Sequence, residues 1–204
     1  MKTLTKTITL TAYLFNELDE YIKETAKSNV LEYDRLPEFF TEDVRYELIE
    51  NFGLSHLKSY YSLSYCQGDG LCLYGRITAS ELFDNEKFKK IAFKGIHHKQ
   101  IQSVYDVLQN IDFEHQGRYY HAKTVYIESH EYDPTNRQID IIRNVVENVK
   151  SWYFMFCREW EERGYEYFYE ISDEDMEYVC NEYNYLFTEK GKLINSDEYE
   201  ELTA

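Results

Sequence analysis

The chain has 204 residues, 43% hydrophobic and 29% charged, with a formal net charge of −16. This balance gives a folded chain with a sizeable core and excludes a disordered tail, while 2 prolines and 8 glycines leave little room for linkers. No run of 18 apolar residues occurs, which argues against a spanning helix, and the alternating start is no signal sequence, so a cytoplasmic protein is expected.

Thr3 to Leu10 alternates in polarity, with Leu4, Ile8 and Leu10 on one face, as a half-buried strand does. Leu14, Leu18, Tyr21 and Ile22 then recur at helical spacing. A second helix is expected to start at Thr41 as N-cap, after a connection that contains Pro37, and to stop at Gly53. Residues 59–78 read as a β-hairpin turned by Gln67-Gly68-Asp69-Gly70. A three-residue loop, Gly68 to Gly70, would set Cys66 opposite Cys72. Residues 81–109 read as helix interrupted near Gly95, and residues 113–132 as two strands ended by Asp133-Pro134.

The longest helix is predicted over 137–163, where Ile142, Val145, Val146, Val149, Trp152, Tyr153, Phe156 and Trp160 recur at three and four and Gly164 follows. Tyr165, Tyr167 and Tyr169 then alternate as in an extended stretch. Ser172 with Asp175 opens a last helix in capping-box fashion, and Leu186 to Ile194 forms a short hairpin turned at Lys190-Gly191. The order predicts an α+β fold: one domain over residues 1–204, an antiparallel sheet covered mainly on one side by helices, with 137–163 at the centre.

Charge is polarised along the chain. Residues 159–204 hold 15 acidic residues against 3 basic ones, whereas Lys87 to Lys123 carries a balance of +4. The basic residues are Lys87, Lys89, Lys90, Lys94, Lys99, Arg118 and Lys123, candidates for nucleic-acid contact with Phe88 and Phe93 interleaved. A lysine-rich solvated face explains the same pattern. At the acidic end Glu161, Glu162, Glu174 and Asp175, interleaved with tyrosines, are candidates for contact with a basic protein partner, set against plain solvation of the surface. Twenty-one tyrosines, clustered at 60–61, 119–120, 165–169 and 178–185, suit interfaces as well as cores.

The four cysteines, Cys66, Cys72, Cys157 and Cys180, form no C-x-x-C pair and read as reduced thiols. His97, His98, His115 and His121 lie near Asp112 and Glu114, but the adjacent pair diverges on any regular element, so neither metal nor cofactor is expected. No serine or cysteine stands beside an identifiable base, and an enzyme is not the leading expectation. In Gln67-Gly68-Asp69-Gly70 turn chemistry accounts for the glycines and the aspartate, while Gln67 is left over; a loop gripping a ligand is the alternative.

Four segments carry a resemblance: Tyr13 to Asp19, Tyr65-Cys66-Gln67-Gly68-Asp69-Gly70, Gly117-Arg118-Tyr119-Tyr120-His121, and Asn184 to Gly191. Together they resemble a widespread group of small phage and prophage proteins, often labelled as antitoxins of a toxin–antitoxin stability system. The resemblance runs from Tyr13 to about Ile194. Cys66 stands where relatives carry serine, and Leu71-Cys72-Leu73 replaces a small-plus-aromatic stretch. The resemblance implies no enzymatic activity; it implies a phage setting. The leading expectation is therefore an accessory binding protein that inhibits a host defence complex stoichiometrically, in the manner of an anti-CRISPR protein facing a CRISPR effector, with RNA as a possible second ligand. The alternatives are an RNA-binding regulator using the basic 87–123 stretch, and a small ligand-binding or hydrolytic enzyme using the 67–70 loop.

Overall fold

A computed structural model describes residues 11–33 and 36–194; the strand expected over 3–10 lies outside them. The fold is α+β, as the pattern predicts. Its contacts divide into two compact units, Glu38–Glu166 and the pair of segments Met1–Pro37 and Tyr167–Ala204. Among the described residues no helix is long and apolar enough to cross a membrane.

The larger unit is built on a four-stranded antiparallel sheet in the order β1-β2-β3-β4, with β1 Leu57–Ser62, β2 Gly70–Thr78, β3 Leu108–His115 and β4 Val125–Glu131. Along β3, Leu108, Ile111 and Phe113 are buried while Gln109 and Glu114 are exposed, the alternation of a sheet with one face on a core, shifted by one residue at an irregularity between Leu108 and Asn110. Helix α2 (Leu36–Tyr46) precedes the sheet, and α3 (Ala79–Asp84), α4 (Glu86–Ala92) and α5 (His98–Val104) lie between β2 and β3. The long helix α6 (Asn136–Tyr169) supplies much of the core. Its Trp152 ring meets Phe52 and Phe88, its Trp160 meets Phe40, and its Tyr153 meets Phe113 on the sheet.

Several expectations are corrected here, and one holds. Thr41 lies inside α2 rather than capping it, and Pro37 falls in the first turn, where a missing N–H costs little. Gly53 does end the helix, after a π-helical turn over Glu47–Asn51: at φ +66 its N–H bonds to the Ile49 carbonyl and the Leu54 N–H to that of Leu48. The strand expected to start at 113 starts at Leu108, because the chain turns at 105–107; it ends at His115, and residues 116–124 connect it to β4. Finally, Gly164 does not end α6, and Tyr165 to Tyr169 are helical rather than extended. Gly164 is buried where a methyl group would overlap Leu63 Cδ1, so its missing side chain serves close approach of the β1–β2 loop.

The smaller unit joins a short 3₁₀ turn at Phe15–Glu17, α1 (Glu20–Tyr33), α7 (Asp173–Glu182) and a two-stranded hairpin of β5 (Leu186–Phe187) and β6 (Leu193–Ile194). Phe15, Ala26, Val30, Met176, Cys180 and Phe187 form its buried core. Tyr13 and Phe187 exchange backbone hydrogen bonds of 2.9 Å. The capping of α7 by Ser172 holds: its Oγ accepts from the Asp175 N–H at 3.1 Å. Gly191, at φ +76, turns the hairpin close against α1, and the Asn29 side chain donates to its carbonyl at 2.9 Å.

Candidate functional site

The segment between β1 and β2 is a longer loop than its sequence suggests. Ser62 already pairs with Gly70, and Cys72 lies opposite Tyr60, so Cys66 does not face Cys72. The loop runs from Leu63 to Asp69 because the Asp69 carboxylate collects its donors. It accepts from the Ser64 N–H at 2.6 Å, the Cys66 N–H at 2.7 Å, the Ser62 hydroxyl at 2.9 Å and the Tyr165 hydroxyl at 3.3 Å. Burial pushes the carboxyl up, but these hydrogen bonds outweigh it and hold Asp69 below the usual carboxylate range. Asp69 is thus occupied with its own loop. Tyr65, at φ +54, stacks on Tyr165 with centroids 4.5 Å apart. Gly68, at φ +93, lies under the Tyr119 ring, which a methyl group there would overlap. Gln67, the residue turn chemistry leaves over, is exposed and makes no hydrogen bond among the described residues.

Beside this loop the structure gathers aromatic rings from three elements. Tyr60 of β1 stacks on Tyr74 of β2, with centroids 4.0 Å apart and planes within 9°. Tyr120, from the 116–124 connection, lies 5.1 Å from Tyr60 and 5.5 Å from the His115 ring. The connection is braced internally: His115 Nε2 donates to the Tyr119 carbonyl at 2.9 Å, and Thr124 Oγ1 donates to the same oxygen at 2.9 Å. Tyr60, Tyr119 and Tyr120 are all exposed, and the Arg118 guanidinium sits 5.0 Å over the Tyr119 ring. Burial and the Tyr60 hydroxyl push the Tyr74 phenol up to about 12, so it keeps its proton at neutral pH. The result is an exposed tyrosine surface, of which the sequence signalled Tyr60 in the pair Tyr60-Tyr61 and both members of Tyr119-Tyr120, while Tyr61 packs on Phe40. Tyr74 was missed, because a single tyrosine in a strand carries no sign of its cross-strand stack.

The other candidate residues are dispersed. Among the basic ones, Lys87 donates to Asn51 Oδ1 at 3.1 Å and Lys89 pairs with Glu86 at 3.4 Å. Lys90, Lys94, Lys99 and Lys123 are exposed with no ion pair among the described residues. They lie on α4 and the turn after it, on α5 and on the 116–124 connection, rather than on one element. Among the acidic ones, Glu161 is half-buried, with Oε2 close to Gly70, and Glu162 pairs with Arg158 at 3.0 Å. Glu174 and Asp175 occupy the first turn of α7, where negative charge complements the helix N-terminus; the Ser172 hydroxyl donates to Asp175 at 2.6 Å.

His121 Nδ1 accepts from the Lys123 N–H at 3.0 Å, and His130 Nε2 lies 2.9 Å from an Asp112 carboxylate oxygen. Among the described residues no three His, Cys, Asp or Glu side chains stand together as a metal site. Cys72 and Cys157 are fully buried, and burial pushes both thiols up, Cys72 to about 11, which leaves them protonated.

Residues 39–188 match the family described as a domain of unknown function, DUF8835. The match covers most of the chain, which belongs to that family. No curated protein and no solved structure matches it.

Proposed function

We propose that this member of the DUF8835 family is a binding protein that acts by stoichiometric occupation of a partner protein, the partner being a host defence complex of the CRISPR-effector kind. The observation that supports the reading is the exposed tyrosine surface of Tyr60, Tyr119 and Tyr120 beside the 63–69 loop. Its rings are pre-positioned by the Tyr74 stack and by the internal hydrogen bonds of the 116–124 connection. Tyrosines fixed in this way offer contact area with little entropy left to lose, the property of a recognition surface. The phage setting comes from the resemblance of the hairpin motif and its flanking segments.

The test is co-purification of the tagged chain with a CRISPR effector, read as a stable complex on gel filtration. In parallel, plating of a phage targeted by that effector is scored with and without the chain. The expected result is a stoichiometric complex and restored plating. Both should be lost in Tyr60→Ala/Tyr120→Ala at unchanged thermal midpoint. A complex that forms equally well with the double variant overturns the tyrosine surface as the contact.

A second reading, nucleic-acid binding, is favoured by Arg118 over Tyr119 and by the unpaired Lys123 close by in sequence. Affinity for single-stranded RNA that falls steeply with salt is its signature, and a flat salt dependence removes it.

A further inference from the structure

The tyrosine surface is not the only feature a ligand could use. Between α2 and the outer edge of β1 lies a cavity of about 430 Å³. Thr41, Arg45 and Leu48, at positions i, i+4 and i+7, come from the helical side. Ser55, Leu57, Lys58 and Ser59 come from β1 and the residues before it, and Tyr74 closes the rim opposite Lys58. Leu48 and Leu57 are buried and give the cavity an apolar floor.

The polar side chains around it divide into two sets. Three are already engaged: the Ser55 hydroxyl donates to Glu81 at 3.1 Å, the Thr41 hydroxyl bonds with Tyr61, and the Tyr74 phenol with Tyr60. The other three are open. Arg45, Lys58 and Ser59 have no ion pair or side-chain hydrogen bond among the described residues, and no described residue lining the cavity is acidic. In a chain of net charge −16, a cavity ringed by two unpaired cations and a free hydroxyl holds a local field opposite to that of the whole. Arg45 and Ser59 lie on the helical side of β1, whose outer edge is free, and Lys58, on the opposite face, is long enough to reach around that edge toward an oxyanion held there, with the guanidinium able to take two of its oxygens.

The volume exceeds what a bare phosphate fills and falls in the lower part of the range of small-ligand sites, about 300–1,000 Å³. The leucine floor suits an apolar, flat body attached to that anion. We propose that the cavity binds a nucleoside monophosphate, with the phosphate held by Arg45 and Ser59, and by Lys58 from around the strand edge, and the base over Leu48 and Leu57. This goes beyond the partner-occupation reading, and its test uses the purified chain alone, so either can fail without the other.

The experiment is calorimetric titration of the full chain with AMP, UMP, adenosine and inorganic phosphate, at low and at moderate salt. AMP and UMP should bind more tightly than either adenosine or phosphate, and more weakly as salt rises. Arg45→Gln/Lys58→Gln, both exposed and without partners, should keep the unliganded thermal midpoint and lose affinity about tenfold or more; Ser59→Ala should lose a few-fold. Three results overturn the proposal: no binding of AMP at millimolar concentration, adenosine or phosphate binding as tightly as AMP, or affinity retained by the double variant.

Discussion

The hydroxyl of Tyr165 reaches the carboxylate of Asp69 at 3.3 Å, so a residue of the long helix α6 helps to hold the loop between β1 and β2. The same tyrosine carries the Tyr65 ring on its own. The loop is therefore built around one carboxylate and one phenol, 96 positions apart in sequence. Asp69→Ala removes the oxygen to which the Ser64 and Cys66 N–H groups both donate, and two donors lose their acceptor. Stability should fall by about 1–2 kcal/mol, the lower part of the cost of unsatisfied groups because the loop is partly solvated. Amide exchange locates the effect: Ser64 and Cys66 should lose protection while β1 and β2 keep theirs. Undiminished protection at both amides would show that Asp69 does not organise the loop.

Glu81 is a stronger anchor of the same kind. It is 9% exposed and accepts from the backbone N–H groups of Ser55, His56 and Thr78, the hydroxyls of Ser55 and Thr78, and His56 Nδ1 at 2.9 Å. Burial raises its pKa, yet the donors prevail and it lies below its ordinary 4.5. A lowered folded-state value means the stabilisation is complete above about pH 4.5 and is lost as pH falls through the folded value. Glu81→Gln should cost about 3 kcal/mol at neutral pH, because buried donors are left facing an amide. The difference from the parent chain should shrink in acid. Parallel stability curves from pH 7 to pH 3 would contradict the assignment.

What the sequence made legible were features set by neighbours in the chain. The apolar spacing from Ile142 to Trp160 gives α6, Ser172 gives the cap of α7, and Lys190-Gly191 gives the β5–β6 turn, each a short-range pattern. Features settled by distant contacts were misread. Ile101, Val104, Tyr105 and Leu108 have helical spacing, yet Leu108 starts β3, because pairing with β4 outweighs the local period. Gln67-Gly68-Asp69-Gly70 looks like a tight turn, but buried Leu63 and the donors on Asp69 open a longer loop. For the site, paired tyrosines signalled contact area. Which tyrosines face solvent was legible on the long helix, where Tyr153 falls in the apolar spacing and is fully buried, but not in the pair Tyr60-Tyr61, where only the sheet decides that Tyr60 is the exposed one.

Gly164 tests that distinction directly. A glycine inside a helix with open space beside it would gain about 1 kcal/mol of helix propensity on becoming alanine. In the structure a methyl group there overlaps Leu63 Cδ1 and comes within 2.9 Å of Phe40 Cζ. Overpacking of this kind costs about 1–3 kcal/mol, so Gly164→Ala should destabilise on balance. Adding Leu63→Ala should recover part of the loss beyond additivity, measured in a double-mutant cycle by denaturant unfolding. A stabilised single variant would return Gly164 to a purely local role.

The four cysteines make the last test, and it reads the fold with one reagent. Cys66 is exposed on the 63–69 loop, while Cys72, Cys157 and Cys180 are buried. Thiolate is the reactive form, and burial pushes Cys72 up to about 11 and Cys157 upward as well, so both lack access and charge. Cys66 also donates to the Ser64 carbonyl at 3.5 Å, a long contact that does not shield it. The native protein should titrate with one fast equivalent of a thiol-specific disulfide reagent at pH 8, and the denatured protein with four. Cys66→Ser should abolish the fast equivalent and leave the thermal midpoint unchanged. Because Cys72 lies opposite Tyr60 and Cys66 lies in the loop, oxidation should give a disulfide between molecules through Cys66, visible as a reducible dimer. A Cys66–Cys72 bridge within the native chain would mean the hairpin register differs from Tyr60 opposite Cys72.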